Sequence, residues 1–330
     1  MDGPPFIPIT AGFFTAIACL PQRLIIRIFS FLTIQQLLFL SEVSWETRAL
    51  VHIYVARAWS FQLNFRPWFR NTSAFQELLN RCEALVSGSH ALQFFDRSYY
   101  PGSDMDIYVL HAQVKSVASW VYRQGYRVIP NAQVRLADPN KFAYPVTTIS
   151  PKSRKGSSIT TVVNFIRREI YWDGAVNEKH VQVIGLRVDP ILHILYEFHS
   201  TAVMNFISST VAVSLFPKST LIDRKTYVVR DDYEKSKKNV LWRRKYCDRG
   251  FKIIGDNLGV RNNKEVERLC GHRFVTDRRS LVIPLTTLLH NSDIERDQEY
   301  LAVPFKVIEI ERDLPGGGSD IRVIRPLRRE

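Results

Sequence analysis

The segment VSGSHALQFFDRSYYPGSDMDIYV, residues 86–109, holds the residue types in this chain most suited to chemistry. An apolar run ends in Ser87-Gly88-Ser89, and a helical pattern starts there. Glycine lets a backbone turn sharply and come close to a ligand. The free N–H groups of a helix start, together with the Ser89 hydroxyl, form a cradle for a phosphate. Fifteen positions after Ser89 comes Asp104-Met105-Asp106. Side chains alternate along a strand, so Asp104 and Asp106 share one face while Met105 and Ile107 point to the core. Two neighbouring carboxylates repel each other, and a hard cation such as Mg²⁺ or Mn²⁺ between them relieves that repulsion. The spacing predicts a phosphate cradle beside a divalent metal site. A plain glycine turn with two surface carboxylates is the competing reading.

Holding these groups in place takes alternating strands and helices. ALVSG (84–88) reads as a short buried strand, residues 89–97 as a helical turn and DMDIYVL (104–110) as a strand. Val114, Val117 and Val121 recur at helical spacing within 113–124. Residues 127–135 suit another strand. In the basic loop SPKSRKGSS, Lys152, Arg154 and Lys155 flank Gly156 and can reach a triphosphate. Ile159, Val162, Val163 and Ile166 fall on one helical face, with Ser157 or Ser158 as cap. KHVQVIGL (179–186) is a strand, Asp189-Pro190 opens a helix, and 198–207 return to strand. This alternation predicts an α/β (α+β) fold, a mixed sheet covered by helices.

A Gly-Ser turn at a helix start, followed on the next strand by Asp-hydrophobic-Asp-hydrophobic, resembles the polymerase-beta-like nucleotidyltransferase superfamily. Here the pattern is Gly88-Ser89, then Asp104-Met105-Asp106-Ile107, and the resemblance runs from about residue 75 to 215. It implies that Gly88, Ser89, Lys152 and Lys155 bind a nucleoside triphosphate, and that Asp104 and Asp106 are catalytic and hold Mg²⁺. It also implies a third carboxylate on a neighbouring strand, after a helix and an apolar residue. At that place the chain reads Glu197-Phe198-His199, so an imidazole, a poor Mg²⁺ ligand, stands where an Asp is expected. Glu197 is the nearest acid. The resemblance therefore implies a degenerate member that binds NTP and Mg²⁺, or RNA, with weak or no nucleotidyl transfer. VSGSHALQFFDR and FHSTAVMNFIS are also similar to a group of fungal proteins that carry an F-box-like segment before this fold.

Upstream, residues 18–60 are rich in Leu, Ile, Val and Phe and carry little net charge. Leu24, Ile25, Ile28, Phe29 and Leu32 recur at helical steps after Pro21, which suits a helix start. Thr33 and Ser44 can cap a second and a third helix. Leu20-Pro21, Ile28-Phe29-x-Phe31-Leu32, Leu37-Leu38 and Val43-Ser44 resemble an F-box. The resemblance implies that Leu20, Pro21, Ile28, Phe29 and Leu32 dock on a Skp-type adaptor of a cullin ubiquitin ligase. The acid usual after Leu-Pro is replaced by Gln22-Arg23. The alternative is an ordinary helical cap on the next domain. The expected layout is an F-box-like region over 1–60, a connector over 61–80, the nucleotidyltransferase-like core over 81–220, and a basic extension over 221–330 packed on the core, with a polar tail from about 311.

The chain of 330 residues has a net charge of +13, which admits a polyanionic partner without naming it. Residues 223–252 hold basic residues interleaved with Trp242 and Tyr246, a pattern suited to single-stranded nucleic acid; a solvated helix face with Val240, Leu241 and Trp242 buried is the preferred reading. Four cysteines lie far apart without CxxC spacing, so no disulfide framework is expected, and Cys247 with Cys270 and His272 does not make a zinc pattern. No apolar stretch is long enough to span a bilayer, and AGFFTAIACL lacks the basic flank of a secretory signal. An intracellular protein, cytoplasmic or nuclear, is expected. Two functions stay open: the degenerate nucleotidyltransferase, and a non-enzymatic F-box substrate receptor.

Overall fold

A computed structural model of the chain describes residues 20–129, 134–136, 146–149, 157–170, 172–229, 237–254, 264–285, 301–311 and 319–325. The chain divides into two compact units, residues 1–64 and 65–330.

The first unit is helical: α1 (Gln22–Ser30), α2 (Ile34–Val43), α3 (Trp45–Ala58) and the short α4 (Phe61–Phe65) at its end. Thr33 and Ser44 start α2 and α3 through capping boxes with Gln36 and Thr47, which satisfy donors that a helix start leaves open. Ile25 and Phe29 of α1, Leu37 of α2, and Val51 and Tyr54 of α3 close a small core, in which Phe29 meets Tyr54 edge-on at 5.8 Å. Each such side chain contributes about 1.5–3 kcal/mol by leaving water.

The second unit is built on a mixed sheet with helices against it, an α/β architecture. Its strands are β1 (Leu85–Ser87), β2 (Met105–Leu110), β3 (Arg127–Ile129), β4 (Val134–Leu136), β5 (Val146–Ile149), β6 (Ile159–Ile170), β7 (Val176–Leu186), β8 (Asn205–Ile207), β9 (Val211–Ser214), β10 (Lys225–Tyr227), β11 (Lys252–Ile254), β12 (Gly271–Phe274), β13 (Leu281–Pro284), β14 (Pro304–Glu311) and β15 (Ser319–Ile324). Its helices are α5 (Thr72–Cys82), α6 (Gly88–Asp96), α7 (Val114–Arg123), α8 (Pro190–Glu197), α9 (Lys237–Asp248) and α10 (Lys264–Leu269). The main sheet has eight strands in the order β13-β9-β8-β1-β2-β7-β6-β3. Within this sheet, among the described pairs, only β2 and β7 run parallel, joined by a crossover that includes α7; β10 and β11 form a separate parallel pair. Met105, Ile107 and Val109 on β2 and Val181 and Val183 on β7 are fully buried.

Three expectations change. Residues 159–166 form strand β6 and not a helix: Thr161, Val163 and Phe165 alternate inward, and β6 pairs with β7 along nearly its whole length. The β-branched run Ile159-Thr160-Thr161-Val162-Val163 favours that outcome, because branching at Cβ restricts rotamers in a helix and packs well on a pleated face. The segment 61–80 is not a connector. Phe65, Phe69 and Phe75 are fully buried in the second unit, Asn71 caps α5, and Phe75 stacks on Trp120 of α7 at 5.4 Å. The stretch from 311 is not only a polar tail, since β15 pairs with β14 and buries Ile321 and Val323.

Among the described residues no helix is long and apolar enough to cross a membrane. Cys82, Cys247 and Cys270 are free.

Candidate functional site

Strand β1 delivers the turn. Ser87 Oγ donates to the Asn205 carbonyl at 2.6 Å, which pins the strand end. Gly88 then adopts φ +68°, a left-handed conformation that side chains disfavour, and α6 begins. A Cβ on Gly88 would lie 2.5 Å from Asp106 Oδ2. The glycine is therefore what lets the turn and the acid share one wall. Register places Ser87 of β1 opposite Asp106 of β2, Asp106 beside Gln182 of β7, and Gln182 opposite Asn164 of β6. Paired residues share a face, so these four form a polar row across the sheet.

A cleft of about 370 Å³ opens at Asp106. Gly88, Ser89 and Asp106 line it, so the turn and one of the two expected acids converge there. Asp104 lies just before β2 and accepts a hydrogen bond from Gln182 Nε2 at 3.3 Å. Lys152 and Lys155 lie outside the described residues.

The side chain beside the two aspartates on the neighbouring strand is Gln182, not a residue of the 197–199 segment. Register alone fixes this, and no signal in VQVIGL marks it. His199 belongs to the cleft wall, its ring stacked on Trp242 at 4.2 Å with 23° between planes. Glu197 also lines the cleft, where its carboxylate accepts from Ser158 N at 2.8 Å and Ser157 Oγ at 3.3 Å, and lies 3.5 Å from His193 Nδ1. Burial pushes that carboxyl up, but these hydrogen bonds outweigh burial and hold it down at about 2. His193 Nδ1 also meets Ser158 Oγ at 2.7 Å, so one ring nitrogen serves both partners and no relay through the ring exists.

The donors near the turn are thus two aspartates and an amide that already gives its N–H to one of them. Among the described residues no group of three His, Cys, Asp or Glu stands together as metal ligands. This set does not fit the two-ion Mg²⁺ centre with three carboxylates that the sequence pattern implies.

Helix α9 turns part of its basic and aromatic stretch into the cleft. Trp242, Lys245 and Tyr246, at helical spacing, line the cleft, and Leu241 points outward. Arg249, one turn further, donates to Ser89 Oγ at 3.0 Å and to Ser103 Oγ at 2.8 Å, and lies over the Tyr100 ring at 4.1 Å. Arg224 holds this corner: it pairs with Asp96 at 2.7 Å and donates to the Arg249 carbonyl at 2.8 Å. The 3–4–7 spacing of these four residues is visible in the sequence; which way the helix faces is not.

The cleft therefore combines two kinds of lining: polar groups, with the helix start, Ser89, Asp106, Glu197 and Lys245, and rings, with Tyr108, Phe198, His199, Trp242 and Tyr246. Burial and the Asp104 charge push the Asp106 carboxyl up to about 7, with Lys245 acting in the opposite direction. Burial, with Lys245 and Arg243, pulls His199 down to about 3, so the stacked ring is neutral, and its Nδ1 is buried with no partner. Such a cleft suits a ligand with an anionic head and a flat, hydrogen-bonding body.

His90, next to Ser89, lies against Phe65 and Trp68, and burial lowers it to about 4. A depressed histidine favours the folded state above the unfolded value near 6.5, and that contribution is lost as pH falls toward 4. The loss is expected to reach about 3 kcal/mol by pH 4. Urea denaturation between pH 7 and 4 checks this, with His90→Phe expected to flatten that part of the profile.

In the first unit, Phe29 is part of the core, and Leu20 and Leu32 pack against it. Of the five residues expected to dock an adaptor, Pro21 and Ile28 are exposed. No family model, no curated protein and no solved structure matches the chain.

Proposed function

We propose that the second unit is a nucleotidyltransferase-like domain that binds a nucleotide, with weak or no nucleotidyl transfer. The observation that carries this reading is the close approach of the Gly88 turn to Asp106 in a cleft that aromatic side chains also line. The helix start, Ser89 and Lys245 receive phosphate, and Trp242 with His199 offers the base a stacking surface. Transfer is not assigned, because the neutral Gln182 stands beside Asp104 and Asp106 where a further acid would be needed. Isothermal titration with ribonucleoside mono- and triphosphates tests the reading. Dissociation constants from micromolar to about 1 mM are expected. Absence of heat with every nucleotide at millimolar concentration would remove it.

A second reading concerns the first unit: an F-box-like segment that docks a Skp-type adaptor, making the chain a ubiquitin-ligase substrate receptor. What favours it is the row of Leu24 and Ile28 on α1 and Phe31 just past its end, apolar and exposed, Phe31 at 73%. Titration with a purified Skp-type adaptor is expected to show binding that Ile28→Asp abolishes. Asp104→Ala with Asp106→Ala is expected to leave it unchanged. No binding by the unaltered chain would end this reading.

A further inference from the structure

Strands β6 and β7 run on past the sheet that holds them. β3 pairs with β6 only at 164–166, and β2 pairs with β7 only from Val181 onward. Beyond those points, among the described residues, the two strands pair only with each other, out to Ile170 and Val176. Ion pairs brace this ribbon: Arg167 and Lys179 both meet Glu169, at 2.8 Å and 2.9 Å, and Arg168 meets Glu178 at 2.7 Å. Its base is tied down, since Lys179 Nζ donates to the Pro67 carbonyl and Arg167 to the Trp68 carbonyl at 2.8 Å. The tip is apolar and uncovered: Ile170 is 76% exposed, Trp172 99% and Val176 56%. Ile170 and Val176 are register partners, so they share a face.

A convex apolar point offers no cavity to a small molecule, and the surrounding charge bears on what covers it. On the ribbon Arg167, Arg168 and Lys179 balance Glu169, Asp173 and Glu178. At its base the segments RPWFR (66–70) and RQGYR (123–127) add four exposed arginines and no acid. The first holds the carbonyls that anchor Arg167 and Lys179; in the second, the Gln124 carbonyl also accepts from Arg167, and Arg127 is the register partner of Ile166. Arg127 thus lies four residues behind Ile170, about 13 Å along the strand, and long arginine side chains can span part of that gap. An apolar point set ahead of a group of cations matches a surface that is anionic outside and apolar about 5–10 Å deeper. We propose that the β6–β7 tip inserts into the surface of an anionic lipid bilayer. Trp172 enters the interfacial layer, where an indole is favoured, with Ile170 and Val176 beside it, and the arginines meet the lipid phosphates. This attachment lies on the membrane and needs no spanning helix. It does not rest on the nucleotide reading.

Flotation of the full chain with lipid vesicles tests it, phosphatidylcholine alone against phosphatidylcholine with about 30% phosphatidylserine. The unaltered chain is expected to bind the anionic vesicles at least about tenfold more tightly than the neutral ones. Trp172→Ser is expected to weaken that binding about tenfold or more, and Arg66→Ala with Arg70→Ala about tenfold. All three side chains are exposed, so these variants keep their fold, which circular dichroism checks. Equal binding to the two kinds of vesicle overturns the proposal, since the arginines would then play no part. Anionic binding that Trp172→Ser leaves unchanged also overturns it, because the net charge of +13 would then suffice without the tip. So does the absence of binding to either vesicle. If the chain then self-associates in a way that Trp172→Ser abolishes, as sedimentation velocity reads, the tip belongs to a second copy of the chain and not to a membrane.

Discussion

Alanine at Gly88 is expected to weaken nucleotide binding by about tenfold or more and to destabilise the second unit by about 1–3 kcal/mol. Two costs add. The residue sits at φ +68°, where an L side chain is strained. The new Cβ would also lie 2.5 Å from Asp106 Oδ2, closer than any unstrained contact. Either the carboxyl swings away or the turn opens, and both move a wall of the cleft. Gly174→Ala separates the two costs: its φ is +79°, but nothing lies within 4 Å of its added Cβ. That variant is expected to lose some stability and no nucleotide affinity, as read by titration and urea denaturation of both proteins. Equal affinity in Gly88→Ala and the unaltered chain would mean that the turn and the acid do not form a shared binding wall.

Phe75→Ala has the largest expected effect on stability. The ring is fully buried, 4.5 Å from Phe69, 5.1 Å from Phe65 and 5.4 Å from Trp120. Removing it takes one side from each of these contacts and leaves a cavity among rings that cannot easily close on it. Large aromatic truncations in such cores cost about 3–5 kcal/mol. In a unit of this size that lowers the melting temperature by about 10 °C. Calorimetry or thermal circular dichroism reads the shift. A change of less than about 1 kcal/mol is what a solvent-facing linker would give, and it would show that residues 65–82 are not core.

The contrast between residues 65–82 and the Gly88 turn marks what could be read from the sequence alone. The turn, the acid-bearing strand and the caps at Thr33 and Ser44 are local events, set by a few neighbouring residues, and they form as expected. Strand β6 reads as a helix from the sequence because Ile159, Val162, Val163 and Ile166 fit a helical step. Pairing with β7, a non-local event, settles it. Gln182 could not be found by type, since a lone glutamine in an apolar strand carries no signal; only the parallel register with β2 brings it to Asp104. For α9 the spacing of Trp242, Lys245, Tyr246 and Arg249 was legible and its direction was not. Arg249 lies beside the cleft, against Ser89, because Ser89, Ser103 and the Tyr100 ring, more than a hundred residues earlier, hold it there. Strands β14 and β15 were hidden by their charges: Lys306 and Arg322 on the outward face, and Glu309 at the end of the buried row, gave the segment a polar composition.

The central claim is that a nucleotide lies in the cleft with its phosphate at the Gly88–Ser89 turn and its base toward Trp242. A crystal structure of the protein grown with a nucleoside monophosphate tests it most directly. The expected result is phosphate oxygens within hydrogen-bond reach of Ser89 Oγ and the Arg249 guanidinium, with the base against the Trp242–His199 pair. A nucleotide bound elsewhere on the second unit while this cleft holds only water would contradict it.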